Sequence, residues 1–435
     1  MMQTLDLRDS QPSRAELSRL APRAVIDVTA ATASAAQLIA AVREGGAKAL
    51  IEQSLRFDGV EPPTIRVHAA EIAQAMSRLD PAVRDALEES IARVTKATQA
   101  QVPEPLVTEL APGAEVIQRW QPISRVGFYV PGGKAVYPSS VVMSVVPAHV
   151  AGVGSVALAS PPQKEFGGAI HPTILGAAGL LGVEEVYAMG GAGAIGALAY
   201  GVPELALDPV DLITGPGNIY VAAAKRLVRG DVGIDSEAGP TEILIIADES
   251  ADAALVAADL VSQAEHDEQA AAVLVTTSEV LAAAVTMELD RLAAATHHSA
   301  RVNEALRGPQ SAIVLVSDLI AAAAFSNAYG PEHLEIQTEE PGTVLDLIES
   351  AGAIFLGAYS PVSLGDYLAG SNHVLPTGGQ SRFSSGLGAY TFLRPQQVIR
   401  YDRSALEAIE KRIVALSAAE DLPAHGDAVT ARFGH

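Results

Sequence analysis

Apolar residues recur at three- and four-residue spacing over 31–56 and again over 69–101, with Pro62-Pro63 between the two runs. That is the periodicity of amphipathic helices. A shorter helical signal precedes them from Arg14 to Leu20. At Arg125 the pattern changes. Short apolar runs predict strands over 125–130, 155–159, 184–189 and 210–214. Ala-rich segments between and after them predict helices over 139–151, 172–181, 193–200 and 217–229. Such alternation builds βαβ units around a mostly parallel sheet with helices on both faces. Continuous apolar strands such as Ser155–Ala159 suit a sheet buried on both sides.

A second alternating block follows. Strands are expected over 242–247, 271–276, 312–316 and 353–356, and helices over 250–265, 278–294, 319–328 and 343–350. Residues 357–388 are rich in Gly, Ser and Pro yet carry Asp366, Asn372 and His373. A long polar loop inside a compact protein is more often functional than idle. One last helix is expected over 404–418, followed by a tail with Glu420 and His425.

The 435 residues exceed what one hydrophobic core holds, about 250–300. The pattern predicts an α/β protein of two Rossmann-like α/β domains, the first discontinuous, with small helical N-terminal and C-terminal extensions. The expected divisions are 1–23 for the N-terminal extension, 24–124 with 242–387 for the domain holding the polar clusters, 125–241 for the second domain, and 388–435 for the C-terminal tail. The helices before 125 are too short to be an α/β domain alone, so they are expected to pack on the second block.

Composition narrows the chemistry. The 49% apolar share excludes a disordered chain. No cysteine is present, which excludes disulfides, thiolate nucleophiles, Cys-ligated zinc and iron–sulfur clusters. With 29 Lys+Arg against 51 Asp+Glu, the net charge of −22 opposes nonspecific binding to phosphate backbones, so no nucleic acid is expected. Residues 1–10 lack a basic start and an apolar core, unlike a signal peptide. The apolar run from Val141 to Ala159 is broken by Pro147 and His149 and is too short to span a bilayer. No membrane is expected as a partner, and the expected location is cytoplasmic.

Several short motifs carry candidate chemistry. Gly191-Ala-Gly-Ala-Ile-Gly196 fits G-x-G-x-x-G between a strand and a helix, the context of a dinucleotide fingerprint. In a Gly- and Ala-rich chain, with no strand ending in an acidic residue about 20 positions on, the motif alone reads first as a tight βα turn. Gly215-Pro-Gly-Asn218 offers N–H groups at a helix start, which suit an anion, or form a plain turn. Gln263 and His266 lie three apart and share a helix face, so both could reach one ion. Glu332-His333 could act as an acid–base pair near neutral pH, or sit in an exposed turn. Asp366, His373, Glu420 and His425 add further oxygen and imidazole donors with no competing thiolate.

Taken in order, these segments resemble the histidinol dehydrogenase family. The resemblance is carried by Val126-Gly-Phe-Tyr-Val-Pro-Gly-Gly133, Pro138-Ser-Ser-Val-Val-Met143, Gly215-Pro-Gly-Asn218, Ala238-Gly-Pro-Thr-Glu242, Ser262-Gln-Ala-Glu-His266, Glu332-His-Leu-Glu335, Gly365-Asp366, Ser371-Asn-His-Val-Leu-Pro376 and Ala419-Glu-Asp-Leu-Pro-Ala-His425. It runs nearly end to end.

The resemblance implies oxidation of L-histidinol through L-histidinaldehyde to L-histidine, the last steps of histidine biosynthesis, with two NAD⁺ and one zinc per site. By that likeness Gln263, His266, Asp366 and His425 match zinc ligands, and Glu332 and His333 the catalytic pair. Thr241, His373 and Glu420 match substrate contacts, alongside Gln263, His266, His333, Asp366 and His425. Tyr129, Gly193 and Asn218 fall at NAD contacts. The family forms homodimers whose C-terminal tail crosses to the partner, so Glu420 and His425 would complete the neighbour's site. Two positions depart from the family. Gly193 stands where Gln is usual, removing one side-chain contact to NAD, and Thr241 often is Ser, which keeps the hydroxyl.

The residue types suit this chemistry. Zinc would position the substrate, His333 would take the alcohol proton, and Glu332 would activate water after the first oxidation. Without cysteine a thiohemiacetal route is excluded. A zinc hydrolase built on Glu332 would work without NAD. A two-domain binding protein would leave the Glu-His pair unexplained.

Overall fold

The computed structural model describes residues 2–24, 28–132, 136–237 and 239–434. Gly133 and Ala238, members of two motifs above, lie outside the described residues.

Two parallel sheets organise the chain. One has six strands in the spatial order Gln3–Asp6, Ala312–Leu315, Ala271–Thr276, Glu242–Ala247, His333–Gln337 and Ala353–Leu356. Every residue of Glu242–Ala247 and Ala271–Thr276 is buried, which is why the chain shows unbroken apolar runs there. The other sheet has five strands in the order Val186–Ala188, Ser155–Ser160, Arg125–Tyr129, Leu212–Thr214 and Gly233–Ile234. The strand order reverses between Arg125–Tyr129 and Leu212–Thr214, so the carboxyl ends of those two strands flank a topological switch point. A small antiparallel sheet of Leu106–Ala111, Ala114–Pro122 and Leu393–Tyr401 joins distant parts of the chain. Among the described residues no helix is long and apolar enough to cross a membrane.

The two α/β blocks stand where the pattern put them, but the domain division changes. Helices Val28–Phe57, Ala69–Ser77 and Pro81–Gln99 pack on the five-stranded unit, against Gly191–Tyr200 and Ile219–Val228, Pro172–Leu180, and Pro138–Ala151 respectively. They share its cores, with Ile39 and Leu50 on one face of the sheet and Ile72 and Leu87 on the other. The expectation that 24–124 would complete the other domain is overturned. The reason is surface shape: Gly196 lets Ile39 approach, since a Cβ there would lie 3.3 Å from the Ile39 Cα, and Gly179 faces Met76 and Ile72. An apolar stripe says that a helix is buried, not against what.

Residues 2–20 are part of the six-stranded unit instead of a separate extension. Gln3–Asp6 forms its edge strand, and helix Arg14–Leu20 lies on Leu319–Tyr329 with Leu17 in that core. The single helix expected over 69–101 is two, divided where Asp80 caps Pro81–Gln99 and Pro81 opens it. His333–Gln337 is a central strand, not a loop. The tail contributes Leu393–Tyr401 to the small sheet. It then forms helices Arg403–Ala419 and Pro423–Thr430, which pack on each other.

Candidate active site

The polar residues gather at the amino ends of two neighbouring central strands. Thr241 and Glu242 open one strand, Glu332 and His333 open the next, and His333 sits opposite Ile243 in register. Glu332 and His333 are both buried. The Glu332 Oε2 accepts the Thr241 hydroxyl at 2.6 Å and the Glu242 backbone N–H at 2.9 Å. Burial pushes the Glu332 carboxyl up to about 7, opposed by those two hydrogen bonds and by the field of His266. A carboxyl with that value can exchange protons near neutrality.

The His333 Nδ1 lies 3.1 Å from the Glu242 carbonyl and 3.6 Å from the Glu332 Oε2. A carbonyl only accepts, so Nδ1 carries the hydrogen and Nε2 keeps its lone pair. Burial lowers the His333 pKa, which favours this neutral form, while the field of Asp366 acts the other way. The same device recurs twice. His266 Nδ1 faces the Ser262 carbonyl at 3.3 Å, and His373 Nδ1 faces the Asp366 carbonyl at 3.0 Å. The Nε2 of His373 meets the Ser140 hydroxyl at 3.0 Å, a contact reaching in from the five-stranded unit. Three imidazoles are thus turned with Nε2 as the basic atom, the orientation in which imidazoles serve as bases or metal ligands.

Gln263 lies in the last turn of helix Ala253–Ala264, and its Nε2 donates to the Thr241 Oγ1 at 2.6 Å. Thr241 therefore links Gln263 to Glu332. Asp366 lies in helix Val362–Tyr367, and its charge acts on Glu332, His333 and His373 together. The structure so brings together Thr241, Gln263, His266, Glu332, His333, Asp366 and His373. Glu420 and His425 are exposed near the chain end and take no part in this network. Among the described residues, no three His, Cys, Asp or Glu side chains converge as a metal site within one chain.

The other three candidates lie at the carboxyl edge of the five-stranded sheet. The Tyr129 hydroxyl accepts the Gly191 N–H at 3.1 Å, and Asn218 caps helix Ile219–Val228 through Tyr220 and Val221 N–H groups at 3.0 and 3.2 Å. Gly215 has φ of 120°, and a Cβ there would run into the Tyr129 carbonyl, so glycine alone lets these backbones touch. A side chain at Gly193 would run into the Gln53 amide, so Gln53 fills the space that a larger residue would take.

Sequence reasoning missed Ser140 and Glu242. Glu242 serves both members of the Glu-His pair through its backbone. Its own buried carboxylate accepts from Arg23 at 3.2 Å, from the Tyr329 hydroxyl at 3.1 Å and from the Gly378 N–H at 3.0 Å. Burial raises Glu242 to about 7, and the nearby Arg23 opposes this. The available signal was an acidic residue opening an otherwise apolar strand, Glu-Ile-Leu-Ile-Ile-Ala.

A buried acid–base pair at the amino edge of one parallel sheet, in a site where His373 meets Ser140 of a helix on a second sheet with an anion-suited edge, marks a two-sheet α/β enzyme. Comparisons with known proteins make the class specific. The family model described as histidinol dehydrogenase matches residues 21–433. The chain is 69% identical over 432 residues to the histidinol dehydrogenase of Leifsonia xyli, covering 99% of both chains. To that of Nocardia farcinica it is 58% identical, covering 99% of this chain and 97% of the relative. The crystal structure of histidinol dehydrogenase from Elizabethkingia anophelis superposes with a TM-score of 0.93 at 33% identity, covering 99% of this chain and 98% of that one. The chain belongs to the histidinol dehydrogenase family.

Proposed function

We propose that this protein carries L-histidinol through L-histidinaldehyde to L-histidine, with NAD⁺ as hydride acceptor and a zinc ion at Gln263, His266 and Asp366. The observation that carries the reading is His333, neutral, buried and held at Nδ1 by the Glu242 carbonyl so that Nε2 is the basic atom, beside a Glu332 whose carboxyl burial pushes up to about 7.

The donor set suits zinc. It offers imidazole nitrogen, carboxylate and amide oxygen, and the His266 Nδ1 is tied to a carbonyl as metal-bound imidazoles usually are. One chain supplies two His or Asp donors plus an amide, so the set is short by a ligand. His425 from a second copy supplies it in this reading. Support for that homodimer comes from the tail, where Ile399, Leu416 and Leu422 are exposed together with Glu420 and His425, and from the small sheet that the tail joins, whose edge strand exposes Leu106, Val107 and Leu110. Zinc, when bound, fixes the substrate imidazole and amine. The carboxyl edge of the five-stranded sheet fits a dinucleotide, with close backbones at Tyr129 and Gly215 and two helix N-termini, one capped by Asn218.

This chain's residues then act in two stages. His333 Nε2 takes the alcohol proton in the first oxidation. In the second, Glu332 takes a proton from the water that adds to the aldehyde while the protonated His333 returns its proton to the carbonyl oxygen, forming the gem-diol; His333, neutral again, then takes a hydroxyl proton of that diol as its hydride leaves for the second NAD⁺. His373 and Thr241 contact substrate, with Glu420 arriving from the partner. Turnover of histidinol and histidinaldehyde, measured separately by NADH formation, tests this. His333→Asn should slow both oxidations, and Glu332→Gln mainly the aldehyde step, because only that step consumes water. Equal losses on both substrates in the two variants would refute the assignment.

A further inference from the structure

Two positions along the strand from His333, and on the same face of the sheet, stands a carboxyl group that the chemistry above does not use. Glu335 is 1% exposed, between Ile245 and Phe355 on the neighbouring strands. Its Oε1 accepts the N–H of Val362 at 2.9 Å, and Val362 begins the helix that carries Asp366. Its Oε2 accepts the Gln337 Nε2 at 2.9 Å, and the same Nε2 reaches the Asp259 Oδ2 at 3.2 Å. Glu335 and Asp259 thus share the Gln337 donor, and the field of each carboxylate disfavours ionisation of the other, so that one of them holds a proton. Asp259 lies one helical turn before Gln263, in the helix that leads into His266. Buried Glu335, half-buried Asp259 and the Gln337 between them therefore join three elements: the strand with His333, the helix leading to Gln263 and His266, and the helix with Asp366.

We infer that Glu335, paired with Asp259, is a positioning residue that sets the spacing between the Gln263–His266 segment and the Asp366 helix, and so shapes the divalent-cation site. The consequence for the cation rests on the metal reading proposed above; the brace between the elements does not. Burial and the neighbouring Asp259 push the Glu335 carboxyl up, which favours a proton on the pair. Residues that hold metal ligands in place in this way typically contribute about 10- to 100-fold to metal affinity.

The test compares Glu335→Ala, Glu335→Gln and Ile336→Ala in the full-length protein. Ile336 is buried on the opposite face of the same strand and controls for loss of packing. Zinc affinity is read by competition with a chromophoric chelator, and backbone hydrogen exchange is read on the metal-stripped proteins. Glu335→Ala should lose about tenfold or more in zinc affinity and exchange faster at 259–266 and 362–368. Glu335→Gln keeps a neutral donor and acceptor and should stay within about threefold of the parent. Ile336→Ala should lower the melting temperature yet leave the affinity and both segments unchanged. Val362→Pro, tolerated at a first helical position, removes the N–H arm to the Asp366 helix together with part of the buried Val362 side chain, and should loosen 362–368 but not 259–266; it also serves if Glu335→Ala does not fold. The inference is overturned if Glu335→Ala exchanges like the parent at both segments, or if Ile336→Ala reproduces its losses. If the parent itself takes up no zinc, the metal reading falls, and the exchange comparison still decides the brace.

Discussion

Thr241 stands between the residue proposed to activate water and a residue proposed to hold the metal. Its hydroxyl donates to Glu332 at 2.6 Å and accepts from Gln263 at 2.6 Å, so Thr241→Val cuts both links with almost no change in shape. A hydrogen bond to a charged group contributes about 1.5–3 kcal/mol. Glu332 is buried, so little of that is screened by solvent, and the Glu242 N–H remains as its second donor. At about 1.4 kcal/mol per pH unit, losing the hydroxyl raises the pH at which Glu332 ionises, now about 7, by about one to two. At pH 7 the ionised fraction then falls from about half to about a tenth or less. The assay is the pH–rate profile of histidinaldehyde oxidation. Its acidic limb should move to higher pH by that amount in Thr241→Val and stay in place in Thr241→Ser, which restores the donor. A Thr241→Val profile that coincides with the parent's would show that the hydroxyl does not tune Glu332, and the water-activating role would lose its physical basis.

Two further outcomes follow from the same coordinates. Gly193→Gln should destabilise the protein by about 1–3 kcal/mol through overpacking against Gln53. The melting temperature should recover in the double variant with Gln53→Ala, whereas additive losses would show that Gln53 does not fill that space. Mixing Glu332→Gln chains with His425→Asn chains, each impaired in oxidising histidinaldehyde, should restore one working site per mixed dimer, and verified mixed dimers that recover no histidinaldehyde oxidation would count against tail exchange.

The pairing of elements explains why parts of the fold were legible and parts were not. Strands such as Ala271–Thr276 announce themselves because burial on both faces leaves them uniformly apolar. Gln3–Asp6 and Leu106–Ala111 do not, since they run at sheet edges with mostly exposed residues. His333–Gln337 is wholly buried but reads as His-Leu-Glu-Ile-Gln. His333, Glu335 and the Gln337 Nε2 find partners in the Glu242 carbonyl, Val362 and Asp259, which lie 27 to 91 positions away.

The amino-acid order alone settled the two alternating α/β blocks, the absence of thiol chemistry and the residue types available for acid–base work, because each depends on local periodicity or on composition. Tertiary structure decided which sheet the helices of 28–99 cover, that Glu242 holds both Glu332 and His333, and that three imidazoles share one orientation. Those outcomes depend on which surfaces meet and which carbonyl lies beside which ring. Such matters arise only when segments far apart in the chain are packed together, where desolvation gives each hydrogen bond its weight.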